Sequence, residues 1–300
     1  MANSATHHQS DSKRKKVELS QDTDTVVSID RISNLSDSLI CHILSFLSTE
    51  EAVVTSILSN RWKPLWTLVP KINLNDNRRE EHPLSLTHVV YRVLALHRAP
   101  LLRNFSLKSF SPCDPFHLDT WIHTVIGRKV QHLHLQFSHS KKLVKLPRTV
   151  FTCKTIVILE LRADICLCFD SIYPSMYLNL VRLEFGVNLS NWHVLKALLL
   201  VAPNLKVLVL DKNDDDEEDN RLCCVGPPEG SGCLSLLTAF SFDGYQELEH
   251  EVEFVKYVLS EERLLNAMTI KIYDKHLKES LLQRLSMFPR QSTKCLITVE

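Results

Sequence analysis

Glycine is scarce in this chain, at only 6 of 300 residues. That scarcity speaks against folds that cradle phosphates in glycine-rich loops, and neither a P-loop nor a dinucleotide glycine fingerprint occurs. Net charge is also missing: 35 Lys and Arg balance 35 Asp and Glu. No overall electrostatic case therefore exists for nucleic acid or an anionic membrane as a partner. No apolar run approaches the ~18 residues that a membrane span needs. The opening "MANSATHHQSDSKRKKVELSQ" has no apolar stretch behind its charges, so it does not read as a secretory signal. Neither G-x-S-x-G nor H-E-x-x-H is present, which leaves little basis for an enzyme or for a bound cofactor. The cysteines number 9, an odd count without framework spacing, and read as reduced thiols of an intracellular protein.

What is present is an ordinary globular composition, 44% hydrophobic and 23% charged, enough for one large or two modest domains. Residues 1–26 are polar and short of large apolar side chains, so they are expected to be a disordered tail. Within them Lys13, Arg14, Lys15 and Lys16 read either as a nuclear localisation signal or as a solvated charge run, consistent with nucleus or cytoplasm.

A helical segment follows. In "RISNLSDSLICHILSFL" the residues Leu39, Ile40, Ile43, Leu44, Phe46 and Leu47 recur at helical spacing on one broad face. Ser36 before Asp37 suits a helix start. Thr49, Glu50 and Glu51 open a second helix carrying Ala52, Val53, Ile57 and Leu58, and "NRWKPLW" closes it at Pro64. So few residues bear more apolar surface than they can bury among themselves, which points to a partner helix beside Trp62 and Trp66.

From about residue 100 a different pattern takes over. An apolar-x-x-apolar-x-apolar motif recurs as Leu102-Phe105-Leu107, Val130-Leu133-Leu135, Ile156-Leu159-Leu161, Leu180-Leu183-Phe185, Leu205-Leu208-Leu210, Leu237-Phe240-Phe242 and Leu265-Met268-Ile270. Its middle residues lie 28, 26, 24, 25, 32 and 28 positions apart, the period of leucine-rich repeats. The longest interval holds an acidic run, Asp214 to Asp219, that reads as a loop insertion. Amphipathic helices are expected around Trp192, Leu195 and Leu198 or Leu199, and around Val252, Val255, Leu259 and Leu264. His132 and His134 share one strand face and could in principle hold a metal, but no ligand at suitable spacing accompanies them. Cys166 with Cys168, and Cys223 and Cys224 with Cys233, have the same weakness. No metal site is expected.

Residues 30–76, "DRISNLSDSLICHILSFLSTEEAVVTSILSNRWKPLWTLVPKINLND", resemble the F-box of plant F-box proteins that carry leucine-rich repeats. "LPRTVFTCKTIVILEL" is similar to the first clear repeat of that family, and "LTAFSFDGYQELEHEVEFVKYVLSEERLLNAMTIKIY" through "LLQRLSMFPRQSTKCLITV" resembles its closing FBD domain. The resemblance implies a mixed α+β and α/β repeat fold: a small three-helix F-box (27–76), an irregular leucine-rich-repeat solenoid (77–235) and a capping FBD domain (236–300) that continues the stack. It implies a non-catalytic substrate receptor of an SCF-type cullin-RING ubiquitin ligase, docked on a Skp-type adaptor and through it on a cullin, with an unknown target protein. The alternative is an interaction scaffold whose F-box no longer engages a ligase.

Carried over, the adaptor face would comprise Leu35, Ser36, Leu39, Ile40, Ile43, Leu44, Leu47, Val54, Leu58 and Trp62, about half of them holding the helices together. The chain departs from the family where Ser36 and Ser48 replace proline, which implies weaker adaptor binding rather than its loss. In a repeat strand the leucines face the core and the residues between them face outward. His132, His134, Glu160, Arg162, Arg182, Glu184, Asp211 and Ser241 would then form the target-binding surface.

Overall fold

A computed structural model describes residues 32, 34–76, 85–110, 113–137, 144–163, 165–166, 177–188, 191–212 and 234–300. The tail 1–26 with its basic run, the acidic insertion, Cys168 and the cluster Cys223, Cys224 and Cys233 lie outside them. The chain divides into two units, Met1–Ser36 and Asp37–Glu300; the architecture below is that of the second.

It begins with two short helices, α1 (Asp37–Leu44) and α2 (Thr49–Val54), followed by 3-10 turns at Thr55–Ile57 and Leu65–Leu68. Ser48 caps α2 with a full capping box: its Oγ accepts the Glu51 N–H at 3.2 Å, and its own N–H donates to the Glu51 carboxylate at 2.8 Å. A serine thus starts the helix by satisfying two groups that a proline would leave aside.

Strands and helices then follow in this order: β1 (Lys71–Asn75), α3 (Leu86–Leu96), β2 (Asn104–Ser109), α4 (Pro115–Gly127), β3 (His132–Phe137), β4 (Val144–Lys145), α5 (Arg148–Thr152), β5 (Ile158–Arg162), β6 (Ile165–Cys166), β7 (Arg182–Val187), α6 (Trp192–Leu200), β8 (Val207–Lys212), β9 (Ala239–Asp243), α7 (Glu249–Glu261), β10 (Ala267–Lys271), α8 (Lys278–Ser286) and β11 (Leu296–Val299). Among the described residues nine strands form one sheet in the order β1-β2-β3-β5-β7-β8-β9-β10-β11, and β4 pairs with β6 apart from it. Every neighbouring pair in the large sheet is parallel. Parallel neighbours need a crossover between them, and the 19–28 residues that separate consecutive strands of the sheet supply it.

The register stacks the motif residues into two continuous inner rows. One runs Ile72, Phe105, Leu133, Leu159, Leu183, Leu208, Phe240, Met268, Ile297; the other runs Leu74, Leu107, Leu135, Leu161, Phe185, Leu210, Phe242, Ile270, Val299. Fully burying one such side chain is worth roughly 1.5–3 kcal/mol, so the rows are the spine of the fold. The leading motif residues, Leu102, Val130, Ile156, Leu180, Leu205, Leu237 and Leu265, are buried just ahead of each strand. Strand residues alternate buried and half-exposed, unlike the continuous apolar strands of a parallel sheet covered on both faces.

The large sheet contains two strands beyond the seven that the recurrence marks: β1, inside the span expected to be helical F-box, and β11. It also ends α7 at Glu261, so Leu264 is exposed rather than on that helix's apolar face. The first edge of the sheet is covered. The Asn73 N–H of β1 donates to Thr49 Oγ1 of α2 at 2.7 Å, and Lys71 Nζ donates to the Ser45 carbonyl at 3.1 Å. His97 Nε2 meets the Val69 carbonyl at 2.7 Å. The helical segment is thereby joined to the sheet edge that it protects.

Candidate functional site: an apolar helical face and a charged sheet face

The structure divides the ten residues of the helical site. Ile40, Leu44 and Trp62 are buried, with Ile40 fully inaccessible, as are Leu65 and Trp66. The tryptophan pair is core of the segment, and these residues act through packing. Leu47 is half-buried. Leu39, Ile43, Val54 and Leu58 are exposed. Leu35 and Ser36 end the first unit, where the Leu35 N–H donates to the Ile32 carbonyl at 3.1 Å; Leu35 is half-buried and Ser36 exposed.

Three exposed apolar residues join the solvent-facing group: Phe46 at 74% exposure, Ile57 at 82%, and Val53. The second helix, expected to carry Ile57 and Leu58, ends at Val54 instead, and the chain tightens into a 3-10 turn at Thr55–Ile57, which changes the angle per residue. The Thr55 hydroxyl donates to the Ala52 carbonyl at 2.6 Å and secures that turn. Across the segment, Arg61 holds Asp37 through Nε and Nη2 at 2.9 and 2.7 Å, tying the start of α1 to the loop after α2. A monomer seldom leaves this many large apolar side chains exposed in so short a stretch without a partner.

The second site is the outward face of the sheet. Register brings His132, His134 and Glu160 together: His132 Nε2 lies 2.6 Å from Glu160 Oε1, and His134 Nδ1 lies 2.9 Å from Oε2. Asn104 Nδ2 meets the other ring nitrogen of His132 at 3.1 Å. The two imidazoles, as hydrogen-bond partners and as nearby charge, hold the Glu160 carboxyl well below the usual carboxylate range. Arg182 grips Glu184 Oε1 through Nε and Nη2 at 2.8 and 2.6 Å. Arg162 reaches Asp211 Oδ2 at 3.0 Å and stands 3.6 Å from Glu184 Oε2. It crosses above Gly186, where an added Cβ would lie only 3.2 Å from the Arg162 Cα.

Burial raises the Asp211 carboxyl despite Arg162, helped by the nearby Asp243 and Glu184 charges. Seven of the eight expected sheet residues thus fall into two clusters, His132, Glu160 and His134 across β3 and β5, and Arg162, Arg182, Glu184 and Asp211 across β5, β7 and β8. Ser241 stands apart, between Val209 and Thr269 in register. His134 Nε2 and Arg162 Nε are buried without a hydrogen-bond partner among the described residues. Among the described residues no group of three or more His, Cys, Asp or Glu is arranged to hold a metal, and no helix is long and apolar enough to cross a membrane.

A pH test follows from the Glu160 clamp. A carboxyl with a depressed folded pKa contributes stability above its unfolded pKa of ~4.5, lost as pH falls below it. Glu160→Gln is therefore expected to cost more at pH 6 than at pH 3, read as the difference in thermal midpoint from the parent. An equal loss at both pH values would show that the carboxylate charge contributes nothing.

An F-box domain model matches residues 32–73, the stretch that carries the apolar face. An FBD-associated F-box protein of Arabidopsis thaliana is 34% identical over 197 residues, 63% of this chain and 44% of that protein. An F-box/FBD/LRR-repeat protein of the same plant is 30% identical over 217 residues, 62% and 51% respectively. An F-box/LRR-repeat protein is 42% identical over 139 residues, 45% and 23%. The chain spans about half the length of the first two of these relatives. It is similar to plant F-box proteins with leucine-rich-repeat and FBD names.

Proposed function

We propose that the chain is the substrate-recognition subunit of an SCF-type cullin-RING ubiquitin ligase. Its F-box (27–76) docks on a Skp-type adaptor and through it on a cullin. A leucine-rich-repeat solenoid (77–235), closed by an FBD domain (236–300), holds a target protein. The observation that carries this reading is the exposed apolar group Leu39, Ile43, Phe46, Val54, Ile57 and Leu58, which lies within the F-box match. The chain itself does no covalent chemistry. It raises the concentration of the target beside the machinery that does. On the target side, the two clusters between His132 and Asp211 present a surface of both charge signs, suited to a protein rather than to a polyanion.

The test is a calorimetric titration of the full chain with a plant Skp-type adaptor. Leu39→Asp combined with Leu58→Asp is expected to weaken binding more than ~100-fold, as loss of two buried anchors does. Both residues are exposed, so the unfolding midpoint should move little. Ser36→Pro should tighten binding modestly. A parent chain that shows no binding, with or without Ser36→Pro, would leave the scaffold reading in place of the ligase one.

A further inference from the structure

Net charge is zero over the whole chain, but the two signs are not evenly placed. From the start of α3 to the end of β8, residues 86–212, there are 16 Lys and Arg against 7 Asp and Glu, a balance of +9. Part of that excess lines the side of the sheet where the parallel strands begin. Arg103 stands immediately ahead of β2, Lys129 three residues ahead of β3, Lys154 four ahead of β5 and Lys206 immediately ahead of β8, while Arg182 opens β7. These five strands are consecutive in the sheet. Their lead-in segments stack in register. The Arg103 carbonyl accepts the Gln131 N–H at 3.0 Å, that of Gln131 accepts Val157 N–H at 2.7 Å, and the carbonyls of Val157 and Val181 accept the N–H groups of Val181 and Lys206, each at 2.8 Å. One cation therefore stands at each ~4.8 Å step from strand to strand. Arg103, Lys129, Lys154 and Lys206 are exposed, and none has a side-chain hydrogen bond or ion pair among the described residues. The lead-in residues 97–103, 127–131, 152–157, 177–181 and 201–206 hold no carboxylate.

Cations beside helix C-termini offset the carbonyls exposed there. At the end of α3 that role falls to Arg128, whose guanidinium donates to the Leu94 carbonyl at 2.9 Å and the His97 carbonyl at 3.3 Å. The four exposed cations of the row make no such bond. We infer that this side of the sheet, from Arg103 to Lys206, is a docking surface for an acidic protein segment, a helix that presents Asp or Glu along one side. Such a helix repeats every ~5.4 Å, close to the ~4.8 Å between strands, so its carboxylates meet successive cations. Duplex DNA carries a negative charge every ~1.7 Å, far denser than the row. Single-stranded nucleic acid stacks its bases on exposed aromatic side chains, and the one aromatic residue of the lead-in segments besides His97, Tyr177, is buried. The inference does not depend on the ligase reading.

Fluorescence anisotropy of a labelled alanine-based peptide with Glu at every helical turn, titrated with the full chain at low ionic strength, tests it. Binding is expected, weakening as salt is raised because exposed charges are screened, and absent when the peptide carries Gln in place of Glu. Lys154→Glu combined with Lys206→Glu should weaken binding about tenfold, because two attractions become repulsions. Lys278 is exposed on α8, away from the row, and Lys278→Glu should leave binding unchanged, with thermal midpoints showing each variant folded. No binding of the Glu peptide overturns the inference, and so does binding that the row and α8 substitutions affect alike. Tighter binding of duplex DNA or of phosphatidylserine vesicles than of the peptide, lost with Lys154→Glu and Lys206→Glu, overturns it too.

Discussion

Replacing Glu251 by alanine is expected to cost the fold about 3–5 kcal/mol, the loss seen when one member of a buried ion pair is removed. Its Oε1 accepts from Lys212 Nζ at 2.9 Å, and its Oε2 accepts the backbone N–H of Gln246 at 2.9 Å and of Leu248 at 3.2 Å. Lys212 also donates to Gln246 Oε1 at 2.7 Å. Both charged residues are buried, so alanine would strand an ammonium away from water and leave two N–H groups without their acceptor. The pair joins the end of β8 to the start of α7. The neighbouring Gly244 has φ +75, with Lys212 and Tyr273 crowding the place of a Cβ, so the turn cannot readily shift to compensate. Lys212→Met with Glu251→Leu should recover part of the loss, but not the two N–H bonds, each worth about 1–3 kcal/mol when left unmade in a buried place. Urea unfolding of the three variants measures this. Losses under ~1 kcal/mol for Glu251→Ala would mean that water replaces the carboxylate, as for an exposed pair.

Glu262 is expected to make the protein less stable as pH rises from about 4.5 towards neutrality. Its residue is fully buried, and neither carboxylate oxygen has a protein partner among the described residues. Burial, with the adjacent Glu261 charge, pushes its pKa from 4.5 up to about 7. Below ~4.5 the acid is protonated both folded and unfolded, and its relative contribution is at its most favourable. Between that value and about 7 the folded state keeps a proton that the unfolded state has released, so stability falls. Above about 7 the full penalty, about 3 kcal/mol for such a shift, is in force. Glu262→Gln should remove this slope and be the more stable protein at pH 8, by roughly 2–3 kcal/mol. Chemical denaturation of parent and variant at pH 5 and pH 8 gives the comparison. Identical slopes would mean that the acid reaches water in the folded protein.

The period-two leucines were legible because each strand's core residues lie within three positions of one another. Phe105 and Leu107, or Leu183 and Phe185, announce themselves locally. β1 obeys the same rule, with Val69, Ile72 and Leu74 standing 33 residues ahead of the next repeat at Phe105, but it lies inside a stretch whose resemblance is to helices. β11 hides for another reason: Lys294 holds the position where the other strands place a leading apolar residue. Side-chain partners across strands were less legible. That His132 and His134 both meet Glu160 depends on the register between strands 26 residues apart, which composition does not encode. Glu251 reads in the sequence as part of the polar face of an amphipathic helix, and its partner Lys212 lies 39 residues away. In the helical segment, Leu39 and Leu58 were legible as apolar, but only the fold separates them from the equally apolar and fully packed Ile40 and Leu44.

The strictly sequential order of the sheet turns chain position into a ruler. Neighbouring strands sit ~4.8 Å apart, so the eight steps from β1 to β11 measure about 38 Å along the sheet. On the proposed ligase reading, a target gripped at β5, three steps from β1, would be held ~14 Å from the adaptor end, and one gripped at β9, six steps away, ~29 Å. Reach in such a protein is graduated in whole strands. On the same proposed reading, gain or loss of one repeat would move a bound lysine by one graduation relative to a fixed donor of ubiquitin, leaving the grip itself unchanged.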